Sequence, residues 1–326
     1  YVHSGGTLTT RSDTIINTQG GLVATSDRLD IGANTLNNKG GQIQTLGNLD
    51  IHLSGTLDNT GSLLRSGQTL AISAGAIVNA DTQGDSQGIE GQSVNLSAAN
   101  INNIKGGIRA NNVLTLTGNE SIDNTQGLIS SGKTLTLKDS NLISKNLLIT
   151  NTGGTQIAGE RVEIDSAGLS NGGKVLSQGD LSVKLTQASF TNNGEFQADG
   201  TVSLETAGHI TNQSTIRAGG TLNISAASID NTASGEISAQ STVITAASTL
   251  TNRGFIDGDM TLVTAGTITN LGTGRIYGNH LAIQSNTLNN LDENGMASVI
   301  AARERLDVGA QTIINREHAL IFSAGS

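Results

Sequence analysis

The sequence predicts an all-β fold: a parallel β-helix, or solenoid, of about 15 coils of about 21 residues, with three short strands in each coil. Three observations carry this prediction. A tripeptide of an aliphatic residue or Phe, any residue, then Asn recurs along the chain. The residues between its copies alternate with period 2. Proline, which would delete a ladder N–H from whichever strand it entered, is absent.

The tripeptide ends at Asn17, Asn38, Asn59, Asn79, Asn103, Asn124, Asn151, Asn171, Asn192, Asn212, Asn231, Asn252, Asn270, Asn290 and Asn315. Its spacing runs from 18 to 27 residues with a mean of about 21, a solenoid period. These residues are expected at a corner of each coil, tolerating unusual φ/ψ and hydrogen-bonding their counterparts above and below as a ladder. Between two anchors, as in NNGEFQADGTVSLETAGHITN (192–212), a first alternating run (E-F-Q-A) precedes a small-residue break. A second run (V-S-L-E-T) leads through another break to the third, which ends in the next Asn. Each run reads as a strand with one inward row, and only stacking of coils makes that row a core. At roughly 4.8 Å per coil the stack would be on the order of 70 Å long. No window sustains helical spacing, and residues 1–326 read as one continuous domain.

Composition narrows the function. Aromatics are 2% and charged residues 14%, against about 25% usually, so the core is thin and aliphatic. With 18 basic residues among 27 acidic ones and a formal charge of −9, no basic stripe exists for nucleic acid. No apolar run approaches the roughly 20 residues of a membrane span. The segment YVHSGGTLTT does not read as a signal peptide. Zero cysteine removes disulfides and thiolate metal sites.

One motif points elsewhere. GLISSGKT (127–134) satisfies the phosphate-binding pattern G-x-x-x-x-G-K-[ST]. That loop needs a helix after it to present amides to phosphate, and here an alternating run, TLTLK, follows. Aligned on Asn124 and Asn59, Gly132 matches Gly67 and Lys133 matches Gln68, so Lys133 reads as a solvated side chain and no nucleotide is expected. A catalytic β-helix would gather carboxylates on one face; Asp50, Asp58, Asp81, Asp123 and Glu163 read as dispersed over unlike positions. His3, His52, His209, His280 and His318 show no metal spacing. No enzyme activity, cofactor or metal is expected.

The tandem of aliphatic-x-Asn, Gly-x-Ile/Leu-x-Ala/Ser and Leu-x-Ile/Leu, from Asn17 to Asn315, resembles the filamentous haemagglutinin-type repeat of two-partner-secretion exoproteins. The tail NREHALIFSAGS (315–326) resembles a segment of the CdiA-like contact-dependent growth inhibition effectors, a branch of that family. The resemblance implies a right-handed parallel β-helix, secreted and held at a bacterial cell surface. It implies a middle section without secretion or toxin domain, whose partner is a protein receptor, an outer-membrane protein of a neighbouring bacterium. A host-directed adhesin shaft is the alternative, and a polysaccharide-active enzyme a distant third.

On a repetitive scaffold, binding falls to departures from the coil. Three intervals are long: 80–91, 138–146 and 291–305. Their charged residues Asp81, Asp85, Glu90, Lys138, Asp139, Lys145, Asp292 and Glu293 are the candidate receptor contacts.

Overall fold

The computed structural model describes residues 2–325 and shows a parallel β-solenoid of about 15 turns of about 21 residues, without helix among the described residues. Two compact units are distinguished, one ending at Lys174 and the other starting at Val175.

In the first unit a typical coil has strands Leu63–Ser66, Thr69–Ser73 and Ala76–Val78. Each strand pairs in parallel with its equivalent in the next coil, so residue types stack in rows. Leu64, Ile89, Ile108 and Ile129 form one inward row. Leu70, Val94, Leu114 and Leu135 form a second, and Ile77, Ile101, Ile122 and Ile149 a third. These side chains are 0–1% exposed. Each fully buried Leu or Ile is worth about 1.5–3 kcal/mol relative to an exposed one, and no coil can bury its row without neighbours.

The second unit repeats the scheme. Phe196, Ile216, Ile237, Ile256 and Ile276 stack in the first strand, and Ile210, Ile229, Leu250, Ile268 and Leu288 in the third. Phe190 and Phe196 meet edge to face at 5.8 Å inside this core. One row is interrupted: Leu222 is followed by Thr242 and Thr261 before Leu281 restores it. The Thr242 hydroxyl donates to Asp257 O at 2.7 Å, whereas the buried Thr261 Oγ1 has no hydrogen-bond partner among the described residues.

The Asn ladder forms, but not at the surface. Asn315 is exposed; the other fourteen anchors are buried. In the first unit Asn103 Nδ2 donates to Asn124 Oδ1 at 2.8 Å and to Leu128 O at 3.2 Å. Asn79 makes the equivalent pair with Asn103 Oδ1 and Gly107 O. The second unit carries the same contacts, as at Asn231, bonded to Asn252 Oδ1 at 2.8 Å and Phe255 O at 3.3 Å. The expectation of unusual backbone angles at these residues is corrected: none has positive φ. The left-handed residue stands two places later, as at Gln19, Gly40, Gly61, Asp81, Lys105 and Gln126. The turn then closes on a glycine such as Gly106, whose N–H donates to Asn103 O at 2.9 Å. A Cβ there would lie 2.1 Å from Asn79 O and 2.3 Å from Asn103 Oδ1, so the ladder itself demands glycine.

Candidate functional site

GLISSGKT is coil. Leu128–Ser131 and Thr134–Asp139 are successive strands. The amides a phosphate would need are donated elsewhere: Gly127 N to Asn124 O, Gly132 N to Ala110 O, and Lys133 N to Asn112 O. The Lys133 side chain faces solvent. Asp58 and Asp123, expected at unlike positions, share one: each precedes its anchor Asn and accepts an amide two residues on, from Thr60 at 3.0 Å and Thr125 at 2.9 Å. They are turn caps three coils apart. No group of three or more His, Asp or Glu among the described residues is placed to hold a metal.

The 80–91 interval is shorter as a loop than the sequence suggests, because Gly88–Ser97 is already strand. Asp81 takes the left-handed position (φ 55) of its turn, and Asp85 stands exposed at the tip. Thr82 is buried beneath, donating to Asn79 O and accepting from Gly107 N. Glu90 lies in the first-strand sheet between Arg65 and Arg109 of the adjacent coils. Arg65 Nη2 reaches Glu90 Oε2 at 2.7 Å, and Arg109 Nη1 reaches Glu90 Oε1 at 3.3 Å. Arg109 also donates to Gln83 O and Gln87 O, pinning the loop. Glu90 is thus committed to a three-coil ion ladder.

In the second interval Lys138 and Asp139 end the second strand, and the loop proper is 140–147. Asp139 is 2% exposed. Its Oδ1 accepts from Asn141 N at 2.8 Å, and its Oδ2 accepts from both Asn146 N and Leu147 N at 2.6 Å. Burial pushes the Asp139 carboxyl up, and these three amides with nearby Lys145 outweigh that, holding it below its ordinary value. The Lys145 side chain is 7% exposed and paired with Asp165 of the next coil. Asp139 and Lys145 therefore build the loop from inside. Lys138 is exposed. The loop tip carries Leu142 and Ile143, 77% and 93% exposed.

The third interval is a β-hairpin. Asp292 pairs with Ala297 and Glu293 with Met296 in antiparallel fashion. Asn294 and Gly295 turn between them with φ 56 and 76, the two positive values of a type I′ turn. Asp292 Oδ1 accepts from Gly295 N at 3.0 Å. Glu293 binds Arg253, two coils away, through both oxygens at 2.8 and 2.9 Å, and the guanidinium holds its carboxyl below the usual range. The buried Ser298 ties the hairpin base to the ladder through Asn290 Oδ1 and Asn270 O.

Each predicted residue lies in or beside an excursion, in two different units, and each excursion is ordered by polar contacts to the coil. The residues overlooked in the sequence are the arginines that hold them, Arg109 and Arg253, and the aliphatic tip. Asn-Gly at 294–295 was an available hairpin signal; the failure of alternation across NLIS was the signal for the tip.

A haemagglutinin repeat model matches residues 3–61, 47–101, 92–168, 156–214, 211–272 and 255–310. The chain belongs to the haemagglutinin repeat family. Proteins built on haemagglutinin repeats are secreted or cell-surface filaments. No curated protein and no solved structure matches the chain. In haemagglutinin repeat terms, the buried Asn and closing Gly are coil architecture, and the three excursions are where this chain departs from it.

Proposed function

We propose that this chain is a shaft segment of a CdiA-like contact-dependent growth inhibition effector, displayed outside the cell and presenting a receptor-binding surface to an outer-membrane protein of a neighbouring bacterium. Its role is non-enzymatic. The observation that carries the reading is the haemagglutinin repeat over residues 3–310, interrupted by three excursions that are individually braced. The tail at 315–326 supports the effector branch over a host-directed adhesin. On the same reading the whole chain makes one continuous solenoid, so limited proteolysis should not separate residues 1–174 from residues 175–326.

The test is binding of the labelled chain to whole Gram-negative cells and to strains each lacking one outer-membrane protein. Loss of binding in one deletion strain supports the proposal. Binding confined to eukaryotic cells or glycans sinks it in favour of the adhesin, and release of sugars from a polysaccharide, with or without Ca²⁺, would revive the enzyme.

A further inference from the structure

The 140–147 loop has more internal structure than a passive insertion needs. Asp139 gathers three of its amides, Lys145 pairs with Asp165, and Leu147 plugs the core at 0% exposure. At the tip Asn141 Oδ1 accepts from Ile143 N and Ser144 N, both at 3.0 Å. This frame holds Leu142 and Ile143 away from the protein. Ile143, at 93%, is the most exposed large hydrophobic side chain among the described residues. The pair is flanked in the chain by the polar residues Ser140, Asn141 and Ser144, and the strand that leads into the loop carries near its end the exposed cation Lys138, which makes no ion pair among the described residues.

We infer that Leu142 and Ile143 are a preorganised anchor that enters an aliphatic-sized socket on a protein partner, with an acidic side chain at the socket rim meeting Lys138. This rests on the reading above that the chain recognises a protein on another cell. An apolar centre inside a polar rim is the anatomy of a protein interface, where a few buried anchors carry most of the energy. A rigid anchor also avoids the ordering loss that a mobile loop suffers on binding. The unpaired Lys138 supplies the charge complementarity that selects an acidic rim. A bilayer is a poor occupant: even a single myristoyl chain binds membranes only marginally, two side chains offer less, and a chain of charge −9 is repelled by anionic headgroups.

The experiment measures binding of the wild-type chain, Leu142→Ser/Ile143→Ser and Lys138→Glu to outer-membrane vesicles from Gram-negative cells. The same vesicles after protease shaving, and protein-free phosphatidylethanolamine/phosphatidylglycerol liposomes, serve as comparison. All three substituted side chains lie outside the core, and circular dichroism verifies the fold of each variant. We expect wild type to bind intact vesicles and neither comparison, the double variant to bind about tenfold or more weakly, and Lys138→Glu to weaken binding most at low salt. A double variant that binds like wild type overturns the anchor while leaving the proposed function standing. Equal binding to shaved vesicles or liposomes assigns the tip to lipid and overturns it. Self-association of wild type in sedimentation, lost in the double variant, assigns it to a second copy and does the same. A wild-type chain that binds no vesicle overturns the proposed function and this inference together.

Discussion

At the scale of single residues, the ladder Asn and the closing Gly are one device. Asn103 donates to both Asn124 and the Leu128 carbonyl while accepting from Asn79. Asn103→Leu would leave buried partners unpaired on both sides, at about 1–3 kcal/mol for each group. We expect it to lower the denaturation midpoint strongly, and Gly106→Ala to do the same through its contact with Asn79 O. Thr261→Val should act in the opposite direction. It replaces an orphaned buried hydroxyl with a methyl of similar volume, and a gain of about 1 kcal/mol is expected. Thr242→Val should lack that gain, because it deletes a bond to Asp257 O. Urea titration of the variants checks all four. The burial of the Asn was legible in the alternation: Asn212 follows inward Ile210 by two residues, and on the strand His209–Asn212 that places both on one face. The corner position and the ladder were legible too, and only the left-handed angle was not: Asn suits such angles in general, while here Lys105 takes it and Asn103, just past the end of its strand, turns inward to its neighbours.

At the scale of elements, the excursions are stabilised by charge committed to the coil. Asp139 has a folded pKa below its ordinary value. Its contribution is therefore full at neutral pH, begins to fall as pH drops through the ordinary carboxylate value near about 4, and is gone once pH lies below the lowered folded value. Hydrogen exchange of the amides of Asn141, Asn146 and Leu147 should be slow at neutral pH and accelerate in strong acid. Asp139→Asn should accelerate it at neutral pH and remove the acid dependence. Arg253→Ala should free the 291–298 hairpin, raising exchange there without unfolding the coils. The strands and the three long intervals were readable from alternation and spacing. Which charges the loops fold back upon was not. Alternation after Leu135 and Leu137 puts Asp139 on the inward face and Lys138 on the outward one, but that the loop folds back to bond Asp139, and that Lys145 turns in beside it, depends on contacts that spacing does not give.

At the scale of the whole molecule, the repeat makes function a matter of exceptions. Turn after turn repeats the same inward rows and the same buried amide, and such a surface has little to distinguish one stretch from another. On the function proposed above, receptor recognition falls to the segments at 80–91, 138–146 and 291–297, each tied to the coil by polar contacts. The most direct test is a pull-down of solubilised outer-membrane proteins by the wild-type chain and by three variants, each with one of these segments trimmed to coil length. One receptor should be retained by the wild-type chain and lost from at least one trimmed variant, with the 138–146 trim the first to fail. Retention of that receptor by all three trimmed variants would contradict it and move recognition to the flat faces of the coil.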